Sequence, residues 1–196
     1  MKIRYILSSV ALASSSLTSC SDLDTAPEGN IITSDKKGEI LEEMPERGLA
    51  GVRAIFQGLS AYEPNYEAFG KIERHNDIGY PSVLMFTDAN TEDVVSDPNG
   101  YNWNENSLDY SDRTYTSYES QMVWNDHYNA IYVANTVIKG YNTGEDPTNE
   151  EARFFYAQGL AARAYFYFNL AQLYQFTYKD NETKPCIPVV TDENTA

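Results

Sequence analysis

Apolar residues recur at spacings of three and four along most of this chain, the signature of helices that bury one face. The pattern is densest over residues 148–178, TNEEARFFYAQGLAARAYFYFNLAQLYQFTY. There Phe155, Gly159, Ala162, Phe166, Leu170 and Leu173 follow helical spacing, and no proline intervenes before Pro185. Thr148 with Glu151 three residues on has the form of a capping box, which sets the predicted start. Small residues (Ala157, Gly159, Ala161, Ala162, Ala164) alternate with aromatics, so this helix is apolar nearly all round and needs neighbours on several sides.

Before it, residues 121–139 predict a helix with Trp124, Tyr128, Ile131, Asn135 and Ile138 on one stripe and Gly140 placed as its C-cap. The Gly, Asn, Asp and Pro of 141–147 turn one helix back on the other as an antiparallel hairpin. Asn135 interrupts its stripe, and a buried amide is expected to bond a neighbouring backbone group. Residues 35–62 predict a short helix (Ile40, Leu41, Met44), a break at Pro45, then an amphipathic helix carrying Leu49, Val52, Phe56 and Leu59. The turn Gly79-Tyr80-Pro81 leads an apolar run, 83–86, into a further helical segment. Residues 97–118 give neither period. They predict a long loop that interleaves Tyr101, Trp103, Tyr110, Tyr115 and Tyr118 with Asn, Asp and Ser. The fold class is mainly α, with helical hairpins of tetratricopeptide-like form and long loops.

Composition sharpens the picture at the N-terminus. Lys2 and Arg4, an apolar and small-residue stretch, and Leu17-Thr18-Ser19-Cys20 make residues 1–19 a lipoprotein signal peptide. Cys20 is the expected lipidation site, carrying diacylglycerol and a palmitate-class acyl chain. Each buried methylene contributes about 0.8 kcal/mol, so several chains anchor firmly where one does not. Residues 20–34 form the lipidated N-terminus and linker, and 35–196 the folded region. The formal net charge of -15, from 14 basic and 29 acidic residues, becomes -17 once Lys2 and Arg4 leave with the signal peptide. That balance disfavours nucleic acid and anionic membrane surfaces as partners. With Cys20 acylated, Cys186 has no disulfide partner and reads as a small buried hydrophobe.

Candidate chemistry is sparse. His75 and Asp77 lack further ligands at metal spacing and read as a hydrogen-bonded turn. Asp88, Glu92, Asp93 and Asp97 fail the spacing of a helix–loop–helix calcium loop and read as a solvated acidic face. No acid and nucleophile pair, serine triad, zinc motif or phosphate-cradling glycine loop is recognisable, so the expectation is a protein that is not an enzyme and uses no cofactor. The aromatic-rich loop is the place to expect ligand contacts, because aromatic faces stack on sugar C–H faces while amides bond hydroxyls. Tyr101, Trp103, Asn104 and Tyr110 are the candidate ligand-binding residues.

Four stretches then carry a family resemblance: the lipobox at 17–20; His75-Asn76-Asp77-Ile78-Gly79-Tyr80-Pro81-Ser82 with Thr87-Asp88 and Glu92-Asp93; Trp124-Asn125-Asp126-His127-Tyr128-Asn129-Ala130-Ile131 with Ala134-Asn135; and Ala162-Arg163-Ala164-Tyr165-Phe166-Tyr167-Phe168 through to Pro185-Cys186-Ile187-Pro188. In these the chain resembles the SusD/RagB family of Bacteroidetes outer-membrane lipoproteins. The resemblance implies a helical, surface-exposed lipoprotein of the outer membrane that binds glycans. It would deliver them to a SusC-like TonB-dependent transporter. Family members run to several hundred residues, so the chain corresponds to an N-terminal portion of a SusD-like domain, truncated at its C-terminal end. Helices from the missing part would cover the outer face of the 148–178 helix. The alternative is a helical scaffold lipoprotein that acts through protein contacts without its own ligand.

Overall fold

The computed structural model describes residues 33–60, 77–95, 104, 107, 109–142 and 144–191. Among them are five α-helices and no strand, the mainly α fold that the periodicity predicts. They are α1 (Ser34–Glu43), α2 (Leu49–Ser60), α3 (Tyr80–Ala89), α4 (Tyr118–Tyr141) and α5 (Glu150–Tyr174), with 3-10 turns at Pro45–Gly48 and Ser111–Arg113. Residues 1–32, and with them the lipobox and most of the linker, lie outside the described residues, as do His75, Asp97, Tyr101 and Trp103; the linker's last two positions, Thr33 and Ser34, already cap and begin α1.

Local chemistry sets the helix starts. Thr33 caps α1 by accepting from the Lys36 N–H at 3.3 Å, and Ser117 caps α4 by accepting from the Ser120 N–H at 3.1 Å. The break at Pro45 is real: the proline opens the 3-10 turn, where its missing N–H leaves no bond unmade, and α2 follows from Leu49. The start of α5 differs by one residue from the capping box expected at Thr148. Asn149 is the N-cap, its side-chain oxygen accepting from Glu151 N at 2.9 Å and Ala152 N at 3.3 Å. Thr148 is engaged elsewhere, since the Glu42 carboxylate accepts from its backbone N at 3.1 Å and from its hydroxyl. The same carboxylate oxygen accepts from Asn149 N at 2.9 Å. One acidic side chain at the end of α1 thus sits at the positive end of α5 and ties the two together.

The helical hairpin of α4 and α5 is the centre of the molecule. Phe155, Gly159, Ala162, Phe166 and Leu170 are all buried, as their spacing requires, and meet Ile131, Ala134 and Val137 of α4. Gly159 allows the close approach: a Cβ there would lie 3.0 Å from Ile138 Cγ1 and 3.6 Å from the Ala134 carbonyl oxygen. Leu41, Val52 and Ile55 of α1 and α2 complete this core, while the side chains of Phe56 and Leu59 lie outside the described residues. A smaller cluster of Val83, Met122 and Val123 seats α3 against α4. Gly140 is no C-cap. It is a buried helical residue facing Leu41, and α4 runs one residue further because Tyr141 is buried, stacks on Phe155 and donates to the Pro45 carbonyl at 2.7 Å.

Beyond α5, which ends at Tyr174 rather than Tyr178, the chain turns and lays residues 187–191 across the hairpin. Tyr128 donates to the Pro188 carbonyl at 2.6 Å. Tyr167 bonds both the carbonyl and the N–H of Val190, each at 2.6 Å. Asn135, the polar residue on the α4 stripe, donates to the same Val190 carbonyl at 3.0 Å and accepts from Arg163 at 3.0 Å. The buried amide thus bonds backbone, as its position predicts. Cys186, expected to be buried, is exposed: it stands just before the residues that the hairpin holds, in the exposed run 182–186.

Candidate functional site

At one end of the hairpin an open cleft of about 1100 Å³ separates the C-terminal end of α3 and the turn before α4 from the C-terminal end of α5. Its apolar lining is aromatic for the most part: Phe86, Tyr115, Trp124, Tyr174 and Phe176. Amides stand among them, Asn90, Gln121, Asn125, Gln172 and Gln175, with the hydroxyls of Thr116 and Ser117 at the turn. On the inner side Trp124 and Tyr174 meet edge to face, ring centroids 5.1 Å apart at 84°. Tyr174 donates its hydroxyl to the Ser120 carbonyl, closing the end of α5 onto the first turn of α4. Burial pushes its phenol well above the ordinary tyrosine value, which keeps this donor protonated.

The loop wall is built on Asp112. This side chain is fully buried and accepts at Oδ2 from Ser107 at 2.7 Å and from the Asn90 amide at 2.9 Å. Its backbone carbonyl accepts from the hydroxyls of Ser117 and Ser120. Arg113 bonds the Asn90 side chain at 3.2 Å and its carbonyl at 3.3 Å, and its guanidinium lies 3.9 Å from the centre of the Tyr110 ring. The last part of the segment read as a structureless loop is therefore knitted to α3 and α4. Tyr118, assigned to that loop, begins α4 and donates to the buried Asp77 at 2.7 Å.

Of the sequence-predicted contact residues, Asn104 and Tyr110 are described. Asn104 is half-buried in a turn, its carbonyl accepting from Ser107 N at 3.1 Å. Tyr110 is 56% exposed, holds a left-handed backbone (φ 61°) and pairs with Arg113. Neither lines the cleft, although Asp112 and Arg113 beside Tyr110 do. Tyr101 and Trp103 lie outside the described residues. Sequence reasoning missed the α5 wall. Leu173 continues the helical stripe and so reads as core, yet it is 44% exposed and lines the cleft with Phe176. It missed Asp112 as well, for which the density of serines from Ser107 to Ser120 is the available signal.

Elsewhere, His127 is buried against Tyr80 and Phe166, its Nδ1 3.1 Å from Asp126 Oδ2. Asp88, Glu92 and Asp93 are exposed, as a solvated acidic face requires. Among the described residues no group of three or more His, Cys, Asp or Glu is placed to hold a metal ion, and no helix is long and apolar enough to cross a membrane.

The geometry is that of a helical protein with an open cleft lined by aromatic and amide side chains. The family model for SusD-like proteins, described as starch-binding and associating with the outer membrane, matches residues 77–196, and the chain belongs to this family. No curated protein matches it significantly.

Proposed function

We propose that this chain is a surface-exposed outer-membrane lipoprotein, tethered through Cys20, that binds glycans and passes them to a SusC-like TonB-dependent transporter without catalysing a reaction. The observation that carries the reading is the cleft of about 1100 Å³ with its mixed aromatic and amide lining, in a chain of a starch-binding family. Aromatic rings offer flat apolar faces to sugar C–H groups, and amides offer both a donor and an acceptor to hydroxyls. Tyr101, Trp103, Asn104 and Tyr110 are proposed as ligand-binding residues on their residue types. A glycan array followed by calorimetry on the full chain tests the binding, and co-purification of a TonB-dependent transporter tests the delivery. Absence of both would sink the proposal. Labelling with radioactive palmitate, lost in Cys20→Ala, tests the anchor.

A scaffold role through protein contacts alone is favoured by one observation, the exposed row of Phe154, Tyr165 and Phe168 along α5. Trp103→Ala separates the two readings: glycan affinity falls under the first and has nothing to act on under the second.

A further inference from the structure

The segment laid across the hairpin is held along one edge. Tyr128 donates to the Pro188 carbonyl, Asn135 donates to the Val190 carbonyl, and Tyr167 bonds both the N–H and the carbonyl of Val190. A single hydroxyl reaches both groups of one residue only where they point to the same side, as they do in extended backbone. Pro188 and Val190 therefore turn their main-chain groups to the hairpin, while Val189 and Thr191 turn theirs away. Among the described residues nothing bonds the N–H or carbonyl of either.

An extended segment with an open edge is a template for a further strand, and proteins blunt such edges with proline or charge. Here neither stands on the open side. Pro188, which has no N–H, faces the hairpin, and no charged residue falls between Ile187 and Thr191. Val189 is 70% exposed, which leaves the approach clear, and Ile187, Val189, Val190 and Thr191 are all β-branched, the residue type that suits strand pairing. Because the hairpin already fixes the path of this segment, a strand added to it meets an ordered edge and little further freedom is lost. Charge selects the strand. Asp192 and Glu193 follow directly in the sequence and the chain carries a formal net charge of -15, so a basic segment is attracted, whereas an acidic one, or a second copy with the same net charge, is repelled.

We propose that residues 188–191 are a docking edge for a basic, extended segment of a partner protein, which adds to the hairpin as a β-strand through the main chain of Val189 and Thr191. None of the residues that hold or form this edge lines the cleft, so the proposal stands or falls independently of glycan binding. The test uses the full chain and, as probe, a short fluorescent peptide of alternating threonine and valine with lysine at both ends. Anisotropy reads binding and hydrogen exchange locates it. The peptide binds, amide exchange at Val189 and Thr191 slows by about tenfold or more, and exchange at Val190, whose N–H Tyr167 already holds, is unchanged. The same peptide ended in glutamate binds about fivefold more weakly. Val189→Ala keeps the main chain and keeps the affinity, whereas Val189→Pro removes the outward N–H and weakens binding by about tenfold. Retained protection at Val190 shows that the proline variant keeps the segment in place. No binding, or binding without slower exchange at Val189, overturns the proposal, as does an alanine variant as weak as the proline one. A dimer that dissolves in Val189→Pro gives the edge to a second copy and overturns the choice of partner.

Discussion

Two polar residues do more for this fold than their number implies. Asn135 is 2% exposed and joins three segments, α4, α5 through Arg163, and the backbone at Val190. Replacing it with leucine leaves the Val190 carbonyl without the amide donor and Arg163 without its acceptor, which costs about 1–3 kcal/mol. Chemical denaturation measures that loss, and faster hydrogen exchange at Val190 than at mid-α4 amides locates it. Glu42 acts through charge. The Thr148 hydroxyl, then the backbone N–H of Asn149, hold its carboxyl below the ordinary glutamate value, and in the unfolded chain that preference disappears. A lowered folded-state pKa means that the stabilisation is full above the unfolded value near 4.5 and is lost as pH falls through the folded value. The tether between α1 and α5 therefore weakens in acid. In Glu42→Gln, stability between pH 5 and pH 3 falls less steeply than in the parent, as thermal melts across that range will read. Asn135 was legible in the sequence because it breaks an apolar stripe. Glu42 was not, because its partners lie more than a hundred positions away and a glutamate at a helix end looks like any solvated charge.

At the level of elements, periodicity named every described helix and missed chiefly at the ends. The α5 cap lies one residue from the capping-box reading since Thr148 has a long-range partner, and α4 outruns Gly140 since burial of Tyr141 outweighs the local stop signal. Of the small residues read as points of close approach, Gly159 and Ala162 are buried while Ala157, Ala161 and Ala164 are exposed, and Gly159 gives a sharp test. Gly159→Ala trades a gain in helix propensity of about 0.5–1 kcal/mol against a contact with Ile138 that the longer side chain can relieve, and is close to neutral. Gly159→Leu has to displace Val137 and the α4 backbone, and costs about 1–3 kcal/mol as overpacking. Paired denaturant curves of the two variants decide it; equal stability would show that α4 and α5 do not meet closely there. The cleft was less legible than the helices. Its loop wall falls where no period exists, and its α5 wall carries apolar residues that a helical pattern assigns to the core.

For the whole molecule, the two faces of α5 are the telling contrast. One side is sealed by α4, with Phe166 and Leu170 fully buried, while the other presents Phe154, Tyr165 and Phe168 at 62%, 45% and 65% exposure. A helix apolar on both sides was evident from sequence alone. The side that α4 takes, with Phe155, Gly159, Ala162, Phe166 and Leu170, was legible too in its helical spacing. The exposed row predicts that the 196-residue chain, expressed alone, binds an apolar dye such as anilinonaphthalene sulfonate in its native state and self-associates with rising concentration. Light scattering checks the second outcome, and Phe154→Ser with Phe168→Ser should suppress both without loss of helicity.

The segment laid over the hairpin is gripped through its main chain: Tyr128, Tyr167 and Asn135 all hold peptide oxygens or an N–H, and Val189 remains 70% exposed. Such a grip is indifferent to most of the letters written there. Residues 187–191 are free to drift in sequence while their path stays fixed, apart from Ile187, which packs on the core, and position 190, where proline would remove the N–H that Tyr167 receives. The spelling that keeps this stretch in place is written in α4 and α5, some twenty to sixty residues upstream.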